Sequence, residues 1–332
     1  MAPAPQRVLF SGGGTVGHLS PGFALAAALD ARGVACLFAT PGEQVERSWF
    51  HGREAPRRIH ARRLPRSAGT ALTFPVHLAR GVYAARRLIR REGVDAVIAL
   101  GGWPCVPAVL AARLTKTPLV FLVPDAVPGL VVRKFRRWAG RIYLAGDAAR
   151  TDLEPHPGLR VTGPLLRALG AGGTDAHAVF GLDPSRATLL VTGGSLGARG
   201  LLERFLAGLE EAAARGVVSA ESAQILHSAG GDAGAAQARY ESLGLPHHVC
   251  DYIQDMGSAY RAADLVLARA GANTCAELEA TATPAVFVPY PHHADRQQFR
   301  NAERLVARGG ARVIEEEGLT PDAVSDVLAL LG

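Results

Sequence analysis

Only four cysteines occur in the chain, Cys36, Cys105, Cys250 and Cys275, and none belongs to a Cys-x-x-Cys pair. That excludes a disulfide scaffold and argues against a structural zinc; reduced thiols packed as small hydrophobes fit a cytoplasmic protein. Aromatic residues are scarce at 6%, so the core has to be built from Ala, Val and Leu. Long apolar runs are missing too: stretches such as 118–123 fall far short of the roughly 20 residues that a spanning helix needs. Before Val8 the start, Met1-Ala-Pro-Ala-Pro-Gln-Arg7, holds no apolar stretch of signal-peptide length. Neither secretion nor a membrane span is expected.

The composition that is present, 48% hydrophobic and 20% charged, is that of a folded soluble protein and too apolar for a disordered one. At 332 residues the chain exceeds one compact core and favours two domains. Charge divides it as well. Residues 1–165 carry 23 Lys and Arg against 10 Asp and Glu, residues 166–332 carry 13 against 20, and the balances of +13 and −7 give the overall +6. A basic first half points to an anionic partner: nucleic acid, an anionic membrane surface or a phosphorylated substrate.

Short apolar runs at 8–10, 34–39, 94–100 and 118–123 predict buried strands, while 22–32, 78–91 and 108–113 show the three- and four-residue spacing of helices. The second half repeats the theme, with strands predicted at 188–192, 224–228, 265–267, 285–289 and 311–314 and helices at 201–214, 274–282 and 296–307. Such alternation predicts the α/β class: two Rossmann-like, doubly wound parallel-sheet domains with helices on both faces. The break is expected where Leu153-Glu-Pro-His-Pro-Gly158, Gly163-Pro164 and Gly170-Ala-Gly-Gly173 interrupt periodicity, dividing the chain into domains 1–165 and 166–332. In such folds ligands bind outside the carboxyl ends of the strands, here in an expected central cleft.

Three glycine loops follow strands: Ser11-Gly-Gly-Gly-Thr-Val-Gly-His-Leu-Ser-Pro-Gly22, Leu100-Gly-Gly-Trp103 and Thr192-Gly-Gly-Ser-Leu-Gly-Ala198. Glycines let the backbone approach a ligand, and the N-terminus of the next helix favours anionic groups. The third loop adds the Ser195 hydroxyl and a helix expected from about Gly197, the parts of a phosphate cradle. Gly12-x-Gly14-x-x-Gly17 also satisfies the dinucleotide fingerprint, but that pattern wants a carboxylate after the second strand, and Leu37-Phe-Ala-Thr40 has none. A nicotinamide enzyme is disfavoured on that ground. His18 stands at the mouth of the next helix, where a nucleotide cofactor requires no imidazole. Further on, Gly271 and Ala272 open a helix, and Glu277, about one turn in, can take both hydroxyls of a ribose. Gln297 and Gln298 offer amides suited to neutral sugar hydroxyls; plain solvation is the alternative for these three residues.

Gly12-Gly-Gly-Thr-x-Gly-His18, Gly101-Gly102-Trp103, Gly193-Gly-Ser-x-Gly-Ala-Arg199, Arg269-Ala-Gly-Ala-x-Thr-x-x-Glu277 and Asp295-Arg-Gln-Gln298 occur in the order seen in the MurG family. Those are the bacterial N-acetylglucosaminyltransferases that make lipid II, and the chain resembles them from residue 7 to residue 331. The resemblance implies a GT-B glycosyltransferase in peptidoglycan synthesis, and so in cell wall biogenesis, cell shape and division. UDP-GlcNAc would be the donor and the polyprenyl-linked undecaprenyl-pyrophosphoryl-MurNAc-pentapeptide the acceptor, at the cytoplasmic face of the cell inner membrane. Carried over to this sequence, the donor contacts would include Thr15, Val16 and Gly17 of the first loop and Arg167. Ser195 would hold the diphosphate and Ile253 would offer main-chain contacts to uracil. Ala272, Asn273, Thr274, Cys275 and Ala276 would flank diphosphate and ribose, Glu277 would take the ribose hydroxyls, and Gln297 and Gln298 would read the GlcNAc hydroxyls.

The chain departs from the family pattern at several points. Val16-Gly17 replaces a Gly-Gly pair, and Leu196 a glutamine of the third loop. Leu122-Val-Pro-Asp125 replaces a His-Glu-Gln-Asn segment, so that Val123 stands for a glutamate and Asp125 for an asparagine. At Gly332 the chain stops short of much of the helix that in the family crosses back to the first domain.

Transfer of a sugar from a nucleotide needs a base for the acceptor hydroxyl and stabilisation of charge on the leaving diphosphate. His18 is the expected base, since imidazole titrates near neutral pH, and Asp125 is its rival. No Asp-x-Asp occurs, so a metal-bridged diphosphate is not expected, and neither a cofactor nor a nucleic-acid partner is. Inversion at the anomeric carbon is implied by the resemblance. Residues 72–91, with apolar positions at 74, 78, 82, 85 and 89 and arginines at 80, 86, 87, 90 and 91, suit an anionic bilayer surface, as does Lys134-Phe-Arg-Arg-Trp138; an ordinary core-facing helix with a basic solvent face is the alternative, and the excess of +13 in the first half favours the membrane. Two other readings keep the fold and the UDP-GlcNAc site: a different acceptor or reaction, as in a lipid glycosyltransferase or an epimerase, and a catalytically degenerate binding homologue.

Overall fold

The computed structural model describes residues 5–13, 16–42, 50, 53–61, 68–170, 175–194, 198–231 and 233–331. Two compact units divide the chain, Met1–Arg167 and Ala168–Gly332. The first is built from β1 (Arg7–Ser11), α1 (Val16–Asp30), β2 (Ala35–Thr40), β3 (Arg57–Arg58), α2 (Ala68–Arg91), β4 (Ala96–Ala99), α3 (Val106–Thr115), β5 (Leu119–Val123), α4 (Leu130–Phe135), β6 (Arg141–Leu144) and β7 (Leu159–Val161). Its sheet runs β3-β2-β1-β4-β5-β6-β7 with every neighbouring pair parallel. The second unit holds α5 (Ala176–Phe180), β8 (Ala187–Thr192), α6 (Arg199–Ala214), β9 (Ala223–Ser228), α7 (Ala233–Ser242), β10 (His247–Cys250), α8 (Met256–Ala262), β11 (Leu265–Ala268), α9 (Ala272–Thr281), β12 (Ala285–Phe287), α10 (Gln297–Ala307), β13 (Ala311–Val313) and α11 (Pro321–Ala329). Its six-stranded parallel sheet, β10-β9-β8-β11-β12-β13, repeats the winding of the first.

Period-two alternation assigns the apolar strand residues to opposite faces of each sheet. Leu9, Val97, Ala99, Phe121 and Val123 join one core cluster of the first unit, whereas Val8, Phe10, Ile98, Leu100 and Leu122 join the other. In the second unit Leu189, Val191, Ile225 and Leu267 are separated in the same way from Leu190, Leu226, Val266 and Ala268. Both units also share a polar clamp. Asp95, just before β4, accepts from the N–H groups of Gln6 and Arg7 at 2.8 and 2.9 Å, and these bonds hold its carboxyl below the usual range. Asp264, just before β11, accepts from the N–H of Thr188 at 2.8 Å. Each acid thereby sets the register at which the first strand of its unit enters the sheet.

Several boundaries differ from those read in the sequence. α1 begins at Val16 rather than at Gly22, with Pro21 inside its second turn, where the missing N–H forfeits one bond, to the Gly17 carbonyl, without ending the helix. α2 begins ten residues earlier than its periodicity indicated, and α6 begins at Arg199. Strands β3, β6, β7 and β10 escaped the reading: none exceeds four residues, and β3, β7 and β10 carry charged or imidazole side chains where a buried strand would carry apolar ones. β7 lies inside the stretch taken for the break between domains. Among the described residues no helix is long and apolar enough to cross a membrane.

Candidate active site

In a doubly wound sheet the two strands flanking the reversal of winding send their loops in opposite directions, opening a crevice at their carboxyl ends. In the first unit those strands are β1 and β4. The loop after β1 is closely packed: a methyl group on Gly12 would come within 2.8 Å of Leu100 Cβ. After β4 the chain turns through Gly101 and Gly102 at φ +87° and +70°, values that favour glycine. The His18 ring, in the first turn of α1, covers this turn; a Cβ on Gly102 would stand 3.7 Å from its Cε1. Burial lowers the pKa of His18, and the Asp125 carboxylate acts in the opposite direction. The two candidate bases are thus brought together, Asp125 from the end of β5. Beside them a hollow of about 240 Å³ is lined by Pro21, Leu122, Pro124, Tyr143, Thr162 and Leu165.

In the second unit the strands at the reversal are β8 and β11. Gly271 caps α9 without a side chain, and the first turns of α9 and α6 contain no acidic residue of their own. Ala272, Asn273 and Thr274 form the partly exposed mouth of α9, followed by Ala276. Cys275 packs into the core with its N–H on the Gly271 carbonyl at 2.9 Å, so it supports the helix mouth rather than reaching a ligand. Glu277 is 2% exposed and accepts a hydrogen bond from the Tyr260 hydroxyl at 2.9 Å, which rules out simple solvation. The Ile253 side chain is buried, leaving main-chain atoms as its means of contact.

The loop between β12 and α10 carries the two glutamines. Asp295 accepts from the Gln297 N–H at 3.2 Å, and Gln298 accepts through Oε1 from the Tyr290 N–H at 2.8 Å. Both glutamines are half-buried, so full solvation does not describe them either. Asn301 on α10 donates to the carbonyl of Ala270 at 3.2 Å, tying this helix to the mouth of α9.

Arg167 is the last residue of the first unit and is partly buried. Thr15 and Ser195 lie outside the described residues; Gly17 is exposed in the first turn of α1, and only the backbone of Val16 is described. Sequence reasoning gave no role to the buried Arg269 and Tyr260, to the half-buried Glu316, or to the core pair in which the Tyr240 hydroxyl meets His227 Nδ1 at 2.8 Å. An arginine alone among alanines at a strand end was a signal for the first; nothing marked the others. One expectation is corrected. α2 forms, but its 74, 78, 82, 85 and 89 stripe packs inward, with Ala85 and Ile89 in the core and Phe74 edge-on to Trp103. The apolar residues it exposes are Leu72 at 84%, Val76 at 59% and Tyr83 at 68%.

Comparison with known proteins agrees with this geometry. The profile of the Glycosyltransferase family 28 N-terminal domain matches residues 8–144, and that of the Glycosyltransferase family 28 C-terminal domain residues 188–331. A UDP-N-acetylglucosamine--N-acetylmuramyl-(pentapeptide) pyrophosphoryl-undecaprenol N-acetylglucosamine transferase of Nocardioides sp. is 38% identical over 328 residues, covering 96% of this chain and 87% of the relative. A protein of the same name from Chlorobium luteolum is 36% identical over 341 residues, covering 98% and 90%. The crystal structure of Acinetobacter baumannii MurG superposes with a TM-score of 0.71 at 27% identity, over 99% of this chain and 91% of that one.

Proposed function

The chain belongs to the MurG family within glycosyltransferase family 28, and on that premise we propose that it transfers GlcNAc from UDP-GlcNAc to the MurNAc of undecaprenyl-pyrophosphoryl-MurNAc-pentapeptide, turning lipid I into lipid II. The observation that carries the reading is the position of the shared motifs: four of the five follow β1, β4, β8 and β11, the strands at the winding reversals of the two sheets, where this architecture binds ligands.

In this reading the second unit holds the donor. Main-chain atoms at Ile253 meet uracil, Glu277 takes the ribose hydroxyls, and Gln297 and Gln298 meet the sugar. The diphosphate lies at the N-terminus of α9, with Ser195 proposed as a further contact. The N-terminus of α9, with no acid in its first turn, stabilises the charge that grows on the diphosphate as the bond to C1 breaks.

The first unit supplies the base. Burial holds the His18 imidazole neutral at neutral pH, so its lone pair is available for the acceptor hydroxyl proton. The oxygen attacks C1 from the face opposite UDP, the configuration inverts, and UDP departs. Asp125 then favours the imidazolium that has formed, the part a carboxylate plays beside a catalytic histidine.

The lipid acceptor places the enzyme on the cytoplasmic face of the membrane as a peripheral protein. The exposed Leu72, Val76 and Tyr83 of α2, interleaved with Arg80 and Arg87 and joined by the Lys134–Trp138 segment, support contact with an anionic bilayer. UDP release measured with UDP-GlcNAc and a short-chain lipid I analogue tests the proposal. Release that requires the acceptor supports it; donor binding with no acceptor-dependent release overturns it.

A further inference from the structure

Arg269 leaves β11 directly and is buried. Its Nη1 donates to the carbonyls of Val288 at 3.0 Å and Pro289 at 3.1 Å, and its Nη2 pairs with Oε2 of Glu316. The guanidinium carbon lies 5.8 Å from the centre of the Tyr290 ring. Glu316 in turn stands against the start of α6, where a methyl on Gly200 would come within 2.5 Å of Oε1. One planar fork thus joins the end of β11, the end of β12 and the beginning of α6, a task that a lysine's point charge cannot reproduce.

The turn held in this way presents the Tyr290 N–H to Gln298 Oε1 at 2.8 Å. A main-chain N–H can only donate, so the atom it meets must be the amide oxygen. Nε2, which has no partner among the described residues, is then the end of the amide left for a ligand. Gln298 is therefore fixed as a donor, able to read the lone pairs of a hydroxyl or acetamido oxygen but not to accept from a hydroxyl at that end.

We propose that the Arg269–Glu316 pair is a positioning element that locks the amide of Gln298 as a donor to the sugar and so sets which UDP-hexosamine is used. The proposal rests on the donor site described under the proposed function. A fixed donor discriminates hydroxyl geometry, because a C4 epimer carries its oxygen elsewhere and leaves the amide unpaired.

The test uses the full chain with Arg269→Lys and Glu316→Gln, measuring the Kd of UDP and the KM and kcat with UDP-GlcNAc and UDP-GalNAc. The KM for UDP-GlcNAc is expected to rise about tenfold and the kcat/KM preference over UDP-GalNAc to fall about tenfold, while the UDP Kd moves less than about threefold. Gln298→Glu keeps an oxygen for the Tyr290 N–H, loses the donor and is expected to show the same pattern, which covers a failure of the other variants to fold. UDP and UDP-GlcNAc weakening by one common factor, or an unchanged preference, overturns the proposal. If the wild-type protein binds neither UDP nor UDP-GlcNAc, the donor site itself falls and this inference with it; if it binds both and the variants still discriminate, this inference alone falls.

Discussion

The Tyr260 hydroxyl donates to Oε2 of the buried Glu277 at 2.9 Å, linking α8 to α9 at the candidate ribose site. Tyr260→Phe leaves a buried carboxylate short of a partner, which costs about 1–3 kcal/mol of stability. A lowered melting temperature together with weaker UDP binding is expected; a variant unchanged in both would show that the bond matters to neither.

His18→Ala is expected to lower kcat by about 10²–10⁴-fold while leaving UDP-GlcNAc affinity nearly unchanged, since a base acts on the acceptor. The pH profile separates the two rivals. A base whose pKa is pushed below 6.5 stays deprotonated at neutral pH, so kcat/KM falls only as pH drops below 6.5. Asp125 raises that pKa, so Asp125→Asn is expected to move the acid limb to lower pH. An Asp125→Asn enzyme with no activity at any pH would instead make Asp125 the base.

His227 sits in the core against the Tyr240 hydroxyl, and burial pushes its pKa from 6.5 to about 4. The unfolded chain therefore binds the proton more tightly. This contribution to stability is complete above pH 6.5 and is lost as pH falls toward 4, reaching about 3 kcal/mol in all. Urea unfolding at pH 7 and pH 5 checks it: the loss between them should shrink in His227→Gln, and an equal loss in both proteins would contradict the assignment.

Leu72→Glu combined with Tyr83→Glu removes the two most exposed of the three large apolar residues that α2 presents to solvent, without touching the face packed on the core. Sedimentation with vesicles containing anionic lipid is expected to drop about tenfold or more, with UDP binding unchanged. Retained sedimentation would move the membrane contact elsewhere.

The sheets were legible because each central strand is an apolar run closed by a glycine turn. Edge strands β3, β7 and β10 were not, since β7, for example, buries only Leu159 and exposes Arg160 and Val161. Helix α2 misled for a related reason: its longer apolar stripe marks the face turned to the core, while the exposed Leu72, Val76 and Tyr83 form a second, sparser stripe on the opposite face. At the site, His18 and Glu277 were readable from motif and position. Arg269 and Glu316 are 47 residues apart, and pairing across that distance depends on the order of the strands, which composition and periodicity do not encode.

The central claim is transfer itself, and the anomeric configuration of the product formed from UDP-GlcNAc and a lipid I analogue, followed by NMR alongside UDP release, tests it most directly. The account predicts one β-linked GlcNAc on the MurNAc for each UDP released, dependent on His18. UDP-GlcNAc bound by the protein but returned intact or epimerised, with no glycosylated lipid, would contradict it.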